Sequence, residues 1–584
     1  MYRCVLALDF DRALSANRTV PVALQTALER LRSAGYALFL VTGRRFGDAA
    51  LVPVEKLFAG MVWENGAVLY HPTTDSIYLP FGRINPRLVE ALAAAGVPLE
   101  YGRAIVSTRK PHDETVSRVL SNWVGHAVVT QDGDISRILP PGTAKGAGLE
   151  RLLALCGFSP RNLVSLGDGE GDPSLLQLAE TGVTVADALG ALQEVADLVA
   201  DRPGATGAVE TVEAFWLGKG SERALRVRQR RHVIPLGRDD AGTSVSIPAN
   251  VLARGNLGVF GDSGTGKSWV AGLLAEGMHH AGYQVLMIDP EGDFRGMQAL
   301  PGVVAITVAE GAVPPPRMIA TVLDAVTVSV VLDLTAYPPE RRDAYVAELL
   351  PAVDRLRAAR YRPHWVVLEE AQQFLPPNDN ALWNALQPML VAGGWAFVSY
   401  RPDRLPDALL ATLDMCIVTQ LCEPDAVEAL GRTSGCNVEA SVADIPSGHA
   451  WLCGERVVCL RPNARRIPHI RHLYKYMDTP LPKHKRFYFR DHQHYLQVEA
   501  ASLFEFLQCL RTVPVASLSY HQARGDFARW VADALGDGVL ADQLLKLARR
   551  PLAVEALREA LLRRVSAHCQ ELRELCSQPS YDAE

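Results

Sequence analysis

The sequence predicts an α/β chain: two open-sheet domains in series, then a mostly helical module. Three observations predict it. Short apolar runs recur and end in acids, Thr or Gly, with helix-spaced segments between them, which is the pattern of parallel sheets covered by helices. Gly261-Asp262-Ser263-Gly264-Thr265-Gly266-Lys267-Ser268 reads G-x-x-x-x-G-K-S between such a run, Asn256 to Phe260, and a helix-spaced segment, Trp269 to Met278. From about residue 476 the apolar spacing turns helical, over 501–510, 526–534 and 552–575. The 584 residues give room for about three to five domains. Hydrophobic content of 48% and charge of 21% are those of an ordinary globular chain. The net charge of −6 gives no global basic signal for nucleic acid, though it allows a local basic channel. Ten scattered cysteines show no common zinc spacing, and neither a signal peptide nor a long apolar span is evident. The expectation is a reduced, cytoplasmic protein with no membrane partner.

The first 215 residues read as one domain. Tyr2 to Leu8 is an apolar run ending in Asp9-Phe10-Asp11. Two carboxylates one residue apart, just past a strand's C-terminal end, suit an open-sheet site: one can attack phosphorus while the other moves a proton. Taken alone, the pair reads equally well as a solvated loop. A second run, Ala37 to Val41, ends in Thr42-Gly43-Arg44, and Lys145 begins a helix after Pro-Pro-Gly-Thr. A further strand, Leu163 to Leu166, ends in Gly167-Asp168-Gly169-Glu170-Gly171-Asp172, a carboxylate-rich loop suited to Mg²⁺.

These four motifs in this order resemble the haloacid dehalogenase (HAD) superfamily, in its Cof-type, sugar-phosphatase branch. Trp63-Glu64-Asn65-Gly66-Ala67 and Gly182 to Ala188 fit the same branch. The resemblance implies a Rossmann-like core with an α+β cap over about 82–140. It also implies that Asp9 is the nucleophile, Asp11 the general acid/base, and Thr42 and Lys145 the phosphoryl holders. Asp9, the backbone carbonyl at Asp11, Asp168 and Asp172 would serve the Mg²⁺. Two positions depart from the pattern: Arg12-Ala13 stand where Gly-Thr is usual, and Gly171 where Asn is usual.

Residues 216–249 read as a linker with a short β segment. Lys219 to His232 is rich in arginine, either a solvated connector or a nucleic-acid contact. Val233 to Gly237 and Ser244 to Ile247 have the pattern of two short strands.

Residues 250–475 read as a second sheet domain. Glycines at 261, 264 and 266 let backbone N–H groups close around phosphate oxygens, Lys267 reaches the β/γ-phosphates, and Ser268 holds Mg²⁺. Strand-like runs follow, ending in Asp289-Pro290-Glu291-Gly292-Asp293-Phe294, in Asp333-Leu334-Thr335 and in Glu369-Glu370-Ala371-Gln372. In the last, one acid can fix Mg²⁺ and the next can orient or deprotonate a water. A later run leads into Tyr400-Arg401-Pro402.

The Asp-Pro-Glu-Gly-Asp-Phe and Glu-Glu-Ala-Gln motifs resemble the HerA/FtsK branch of P-loop NTPases, with a doubly wound parallel sheet. The resemblance implies ATP and Mg²⁺ at Gly261 to Ser268, Glu370 as catalytic base, and Glu369 at the metal in place of the usual Asp. Arg401 becomes a γ-phosphate sensor or trans contact, although a surface ion pair explains it equally well. Tyr400 stands where the family has Gln. Members commonly form hexameric rings that move double-stranded DNA, so a homo-oligomer and a DNA partner are expected.

Residues 476–584 read as a mostly helical module with an interaction or assembly role. Lys483 to Asp491 mixes basic and aromatic residues, either a nucleic-acid contact or an amphipathic surface element. Three functions fit the whole chain. The first is a Mg²⁺-dependent phosphatase joined to a ring-forming, DNA-directed ATPase, in DNA processing or antiphage defence. The second is an ATP-gated phosphatase of small molecules such as phosphosugars. The third is a polynucleotide kinase–phosphatase analogue.

Overall fold

The computed structural model of the chain describes residues 5–10, 21–48, 55–216, 231–376, 380–433, 442–454, 457–467, 481, 483–491, 494–535, 537–548 and 554–577. Asp11, the Arg12-Ala13 step and connector residues 217–230 lie outside the described residues.

The first domain is built on an eight-stranded sheet. Its order is Leu198–Val199, Thr181–Thr184, Leu163–Leu166, Val5–Asp9, Ala37–Val41, Gly60–Trp63, Val68–His71, Ser76–Tyr78. The first six run parallel, and the last two fold back antiparallel. Val5–Asp9 is buried throughout because each of its faces meets a separate core. Leu6 and Leu8 pack with Leu24 and Leu28 on one side, and Val5 and Ala7 with Leu149 and Leu152 on the other.

A four-stranded antiparallel cap sheet sits above this core, in the order Glu100–Tyr101, Val106–Arg109, Ile135–Leu139, Val128–Asp132. Helices Pro86–Ala94 and Asp113–Leu120 close its own small core around Leu88, Leu92, Val116 and Ile138. Glu64 fixes the joint between core and cap. Its buried carboxylate accepts from the backbone N–H of Arg103 (2.7 Å), Ala104 (2.9 Å) and Phe46 (3.2 Å).

The second domain holds an eleven-stranded sheet. Seven parallel strands run in the order Met415–Val418, Asn256–Phe260, Trp395–Ser399, Trp365–Leu368, Val285–Asp289, Ser329–Asp333, Val303–Thr307. An antiparallel wing of four strands extends the Met415–Val418 edge. Two of these are Val233–Asp239 and Ser244–Pro248. The β segment expected in the linker is therefore part of this sheet, because Gly237 and Asp239 pair with Pro462 and Leu460. The sequence pattern showed the hairpin but not its partner strand, more than two hundred positions away.

The two domains meet at the N-terminal edges of both sheets. Tyr361 and Arg362, at the end of helix Pro339–Arg360, reach Gly35 and Gly157 of the first domain. Asn162, just before Leu163–Leu166, bonds to Tyr361 and His364, just before Trp365–Leu368. The residues expected to do chemistry stand at the opposite, C-terminal ends of these strands. The sites therefore face away from one another. With strands of four to five residues at ~3.3 Å each, they lie on the order of 30 Å apart.

The C-terminal module pairs strands Phe487–Asp491 and His494–Ala500 beneath helices Leu503–Thr512, Val515–Ala523, Asp526–Trp530, Gly538–Ala548 and Val554–Ser577. Phe487 and Phe489 are buried among Phe506, Phe527 and Trp530. These two aromatics form core contacts, so they offer no platform for stacked bases. Among the described residues no helix is long and apolar enough to cross a membrane.

Candidate functional sites

The first site forms where three parallel strands end. Asp9 terminates Val5–Asp9 at the middle of the sheet and is fully buried. Lys145, the first residue of helix Lys145–Leu155, extends its ammonium between two carboxylates. Its Nζ donates to Asp9 Oδ1 at 2.9 Å and to Asp172 Oδ1 at 2.7 Å. Burial alone would lower the Lys145 pKa, but the charges of Asp172 and Asp9 outweigh it and hold the ammonium well above its ordinary value. Asp172 also shapes its loop, since Oδ2 accepts from the N–H of Asp168 (2.9 Å) and Gly169 (2.8 Å). Thr42, just past Ala37–Val41, is buried, and its Oγ1 accepts from Arg44 N–H.

Asp9, Asp168 and Asp172 each place a carboxylate oxygen within 4.8 Å of the others. Three buried hard-oxygen donors beside a single ammonium carry a net negative charge, and this donor set fits Mg²⁺. The structure thus brings together Asp9, Lys145, Asp168 and Asp172. Asp11, the expected acid/base and metal contact, lies outside the described residues.

The cap completes the cleft with residues to which the motifs assigned no role. Arg137 on Ile135–Leu139 reaches the mouth, where its Nη1 donates to Asp132 at 3.1 Å. Asn65, in left-handed conformation at φ 55°, donates to Thr130 of the cap at 3.0 Å. Gly43 leaves room for this approach: a Cβ there would lie 2.7 Å from Asn65 Oδ1 and 3.4 Å from the Arg137 guanidinium carbon. Nothing in the local sequence marks Arg137, because the topology brings it to the cleft from a strand of another layer.

The second site forms around the loop after Asn256–Phe260. Gly261 sits at φ 155°, where a Cβ would fall 1.8 Å from Thr419 Oγ1, so only glycine lets the loop cross the neighbouring strand end. Asp262 anchors the loop by accepting from Cys422 N–H at 2.9 Å, and its carbonyl accepts from Thr265 Oγ1 at 2.8 Å. Ser263 and Gly264 form the exposed tip, and Gly264 and Gly266 both have positive φ. Helix Lys267–His280 then begins, with its N-terminus at the loop.

Lys267 donates to the Asp262 carbonyl at 3.0 Å. Burial lowers its pKa, against the opposing pull of Glu370, Glu369 and Asp262. Ser268 Oγ donates to Glu369 Oε1 at 2.6 Å. Glu369 is fully buried, and burial lifts its pKa well above the carboxylate range. Its Oε2 has no hydrogen-bond partner among the described residues. A buried acid with an unused oxygen, hydrogen-bonded to the P-loop serine, fits Mg²⁺. Glu370 follows in left-handed conformation at φ 51°, a strained backbone that swings its side chain out of the strand direction, and Gln372 holds it. Burial raises its pKa too.

Asp289 accepts from the N–H groups of Glu291, Gly292 and Phe294, so it braces the Asp-Pro-Glu-Gly-Asp-Phe turn. Burial pushes its pKa up to about 7. Arg401 forms a two-pronged pair with Asp403 at 2.8 and 2.6 Å, committing its guanidinium to its own loop. The Tyr400 ring lies 5.8 Å from Lys267 Nζ.

Comparison with known proteins agrees with both geometries. Residues 102–211 match the haloacid dehalogenase-like hydrolase family, and residues 234–382 match the central domain of helicase HerA. Residues 484–581 match a family of unknown function. Phosphoglycolate phosphatase 2 of Saccharolobus solfataricus is 27% identical over 223 residues, 37% of this chain and 93% of that protein. Phosphoglycolate phosphatase of Natronomonas pharaonis is 28% identical over 218 residues, 36% of this chain and 96% of that protein. Among solved structures, a haloacid dehalogenase-like hydrolase from Bacteroides thetaiotaomicron covers 36% of this chain and 99% of its own, at 17% identity and a TM-score of 0.33. The chain thus joins a phosphatase domain of the haloacid dehalogenase type to a P-loop ATPase domain of the HerA type.

Proposed function

We propose that the chain is a two-headed hydrolase: one head frees inorganic phosphate from a small phosphomonoester, and the other hydrolyses ATP within a ring that acts on double-stranded DNA. The observation that carries the first head is the Lys145 ammonium set between Asp9 and Asp172, with Asp168 alongside. The curated relatives named above are phosphoglycolate phosphatases, which supports a small phosphorylated acid as substrate.

The Asp9 carboxylate attacks phosphorus, the ester P–O bond breaks, and the departing alkoxide takes a proton from Asp11. Water then attacks the aspartyl-phosphate, returns a proton to Asp11 and frees Asp9 and phosphate. Lys145 neutralises the charge that otherwise repels the incoming phosphate, and Thr42 holds a phosphoryl oxygen. Asp9, Asp168 and Asp172 would hold Mg²⁺, which adds charge stabilisation. Phosphate release from 2-phosphoglycolate and p-nitrophenyl phosphate, with Asp9→Asn as control, tests this head.

In the second head, backbone N–H groups of residues 261–266 and Lys267 bind the phosphates, while Ser268 and Glu369 would hold Mg²⁺. Glu370 takes the proton of the attacking water, and its raised pKa suits that task. The hexameric ring, the DNA partner and a role in DNA processing or defence rest on the HerA family match. ATP hydrolysis measured with and without double-stranded DNA, at low and moderate salt, tests them, with Lys267→Ala as the silent control.

A second reading, ATP-gated phosphatase activity without DNA, is favoured by the hydrogen-bonded joint between the domains. The kinase–phosphatase reading is disfavoured by the placement of the sites at opposite edges, since a nucleic-acid end passed between them has to travel around both domains.

A further inference from the structure

A cavity of about 420 Å³ lies between the core loop after Thr42 and the cap sheet. It adjoins the catalytic cleft, and the two share Gly43, Asp132 and Arg137 as walls. Its volume falls within the ordinary range for small-molecule pockets and is larger than a two-carbon leaving group needs. Its walls are rich in arginine: Arg44, Arg45, Arg109 and Arg137 face three acids, Asp48, Glu100 and Asp132. Arg45 and Arg109 share one acid, Glu100, at 3.6 and 3.5 Å, so a positive charge is left over.

Arg137 is the informative member. Its side chain is nine-tenths buried, yet a single Nη1 bond to Asp132 is its hydrogen bonding among the described residues. A guanidinium carries five N–H donors, and those of Arg137 not taken by Asp132 border the cleft and the cavity, where an anionic group can meet them. Its carbon lies against Gly43, in the loop that also carries Thr42. Arg137 thus lines one cleft with Asp9 and Lys145, within the walls that would enclose a phosphate ester.

We propose that Arg137 is a specificity-determining residue that reads a carboxylate on the leaving alcohol, with Arg109 and Arg45 at the far wall. The substrate class is then the phosphate ester of a hydroxy acid, of more than two carbons where it fills the cavity. The proposal rests on the phosphatase reading for its substrate, but its binding test does not need turnover.

The test is calorimetric binding of 3-phosphonopropionate and of propylphosphonate to the full chain with Mg²⁺, for wild type, Arg137→Gln and Arg137→Lys. A charge-assisted pair of ~1.5–3 kcal/mol predicts that wild type prefers the carboxylated ligand by about 10- to 100-fold. Arg137→Gln is expected to erase that preference while leaving propylphosphonate binding within about twofold, and Arg137→Lys to restore part of it. The same split is expected in KM for 2-phosphoglycolate against ethyl phosphate. Absence of a wild-type preference, or equal loss of both ligands in Arg137→Gln, overturns the proposal. A preference that Arg137→Gln erases, in a protein that hydrolyses neither ester, upholds the anion site and rejects the phosphatase reading.

Discussion

Asn162 and His364, from different domains, share a buried hydrogen bond. His364 Nε2 lies 3.1 Å from Asn162 Oδ1, and His364 Nδ1 accepts from Gln284 N–H at 2.8 Å. With Nδ1 an acceptor, the ring is neutral and donates through Nε2. Asn162 Nδ2 in turn donates to the Tyr361 carbonyl at 3.2 Å. Asn162, Gln284 and His364 each immediately precede a strand, and these strands lead to Asp168, Asp289 and Glu369 respectively. The joint thus ties both catalytic edges to one polar knot. Asn162→Ala removes the bonds to His364 Nε2 and the Tyr361 carbonyl, an expected loss of about 0.5–1.5 kcal/mol for each. Hydrogen exchange should accelerate at Val285 and Trp365, with both activities retained.

The same histidine makes the joint acid-sensitive. Burial, and then the charges of Arg362, Arg161 and Arg357, lower the His364 pKa to about 3. In the unfolded chain it is ~6.5. Above that value both states are neutral and nothing changes. Between about 6.5 and 3 the unfolded state takes up a proton that the native state refuses, so stability falls by ~1.4 kcal/mol per pH unit. His232 at the same joint, lowered to about 4 chiefly by burial, acts in the same direction. Glu180, raised by burial, acts in the opposite direction because its native carboxyl protonates first. Thermal midpoints should drop from pH 7 to pH 5, less steeply in His364→Gln. Equal slopes for both proteins contradict this account.

Lys145→Ala removes the cation between Asp9 and Asp172. Ester hydrolysis should fall by about 10²–10³-fold, as for loss of one preorganised charge stabiliser. ATP hydrolysis should stay within about twofold, which initial rates on the same preparation will show.

Glu370→Gln keeps shape and removes the base. ATP turnover should fall by about 10²–10⁴-fold with nucleotide affinity retained. A fluorescent ATP analogue that binds with unchanged affinity, beside silent hydrolysis, is the expected pair of results.

In the C-terminal module, Phe489→Ala should lower stability by about 3–5 kcal/mol, since the ring is buried against Phe506 and Phe527. Unchanged denaturant unfolding of the module contradicts the core assignment.

Much of this was legible in the chain because the chemistry sits at strand ends. Asp9, Thr42, Asp168, Lys267 and Glu369 each follow an apolar run or a glycine loop, and such local patterns survive without knowledge of the fold. The cap came with the gap between motifs at Thr42 and Lys145. Residues that act across layers were not legible. Arg137 lies on a short strand that carries no motif, and Asn162 and His364 look like unremarkable polar residues at strand starts. The Val233–Asp239 hairpin was visible, but its pairing with Val457–Pro462 depends on tertiary register. Lys483 to Asp491 was ambiguous because alternating Phe487 and Phe489 serve a buried face as well as a binding one.

The most direct test of the two-headed account is a crossed knockout. Phosphate release from 2-phosphoglycolate and from ATP is measured in the full chain, in Asp9→Asn and in Lys267→Ala. The account predicts that Asp9→Asn silences the ester and spares ATP, and that Lys267→Ala silences ATP and spares the ester. Loss of both activities in either variant, or ATP hydrolysis that survives Lys267→Ala, contradicts it.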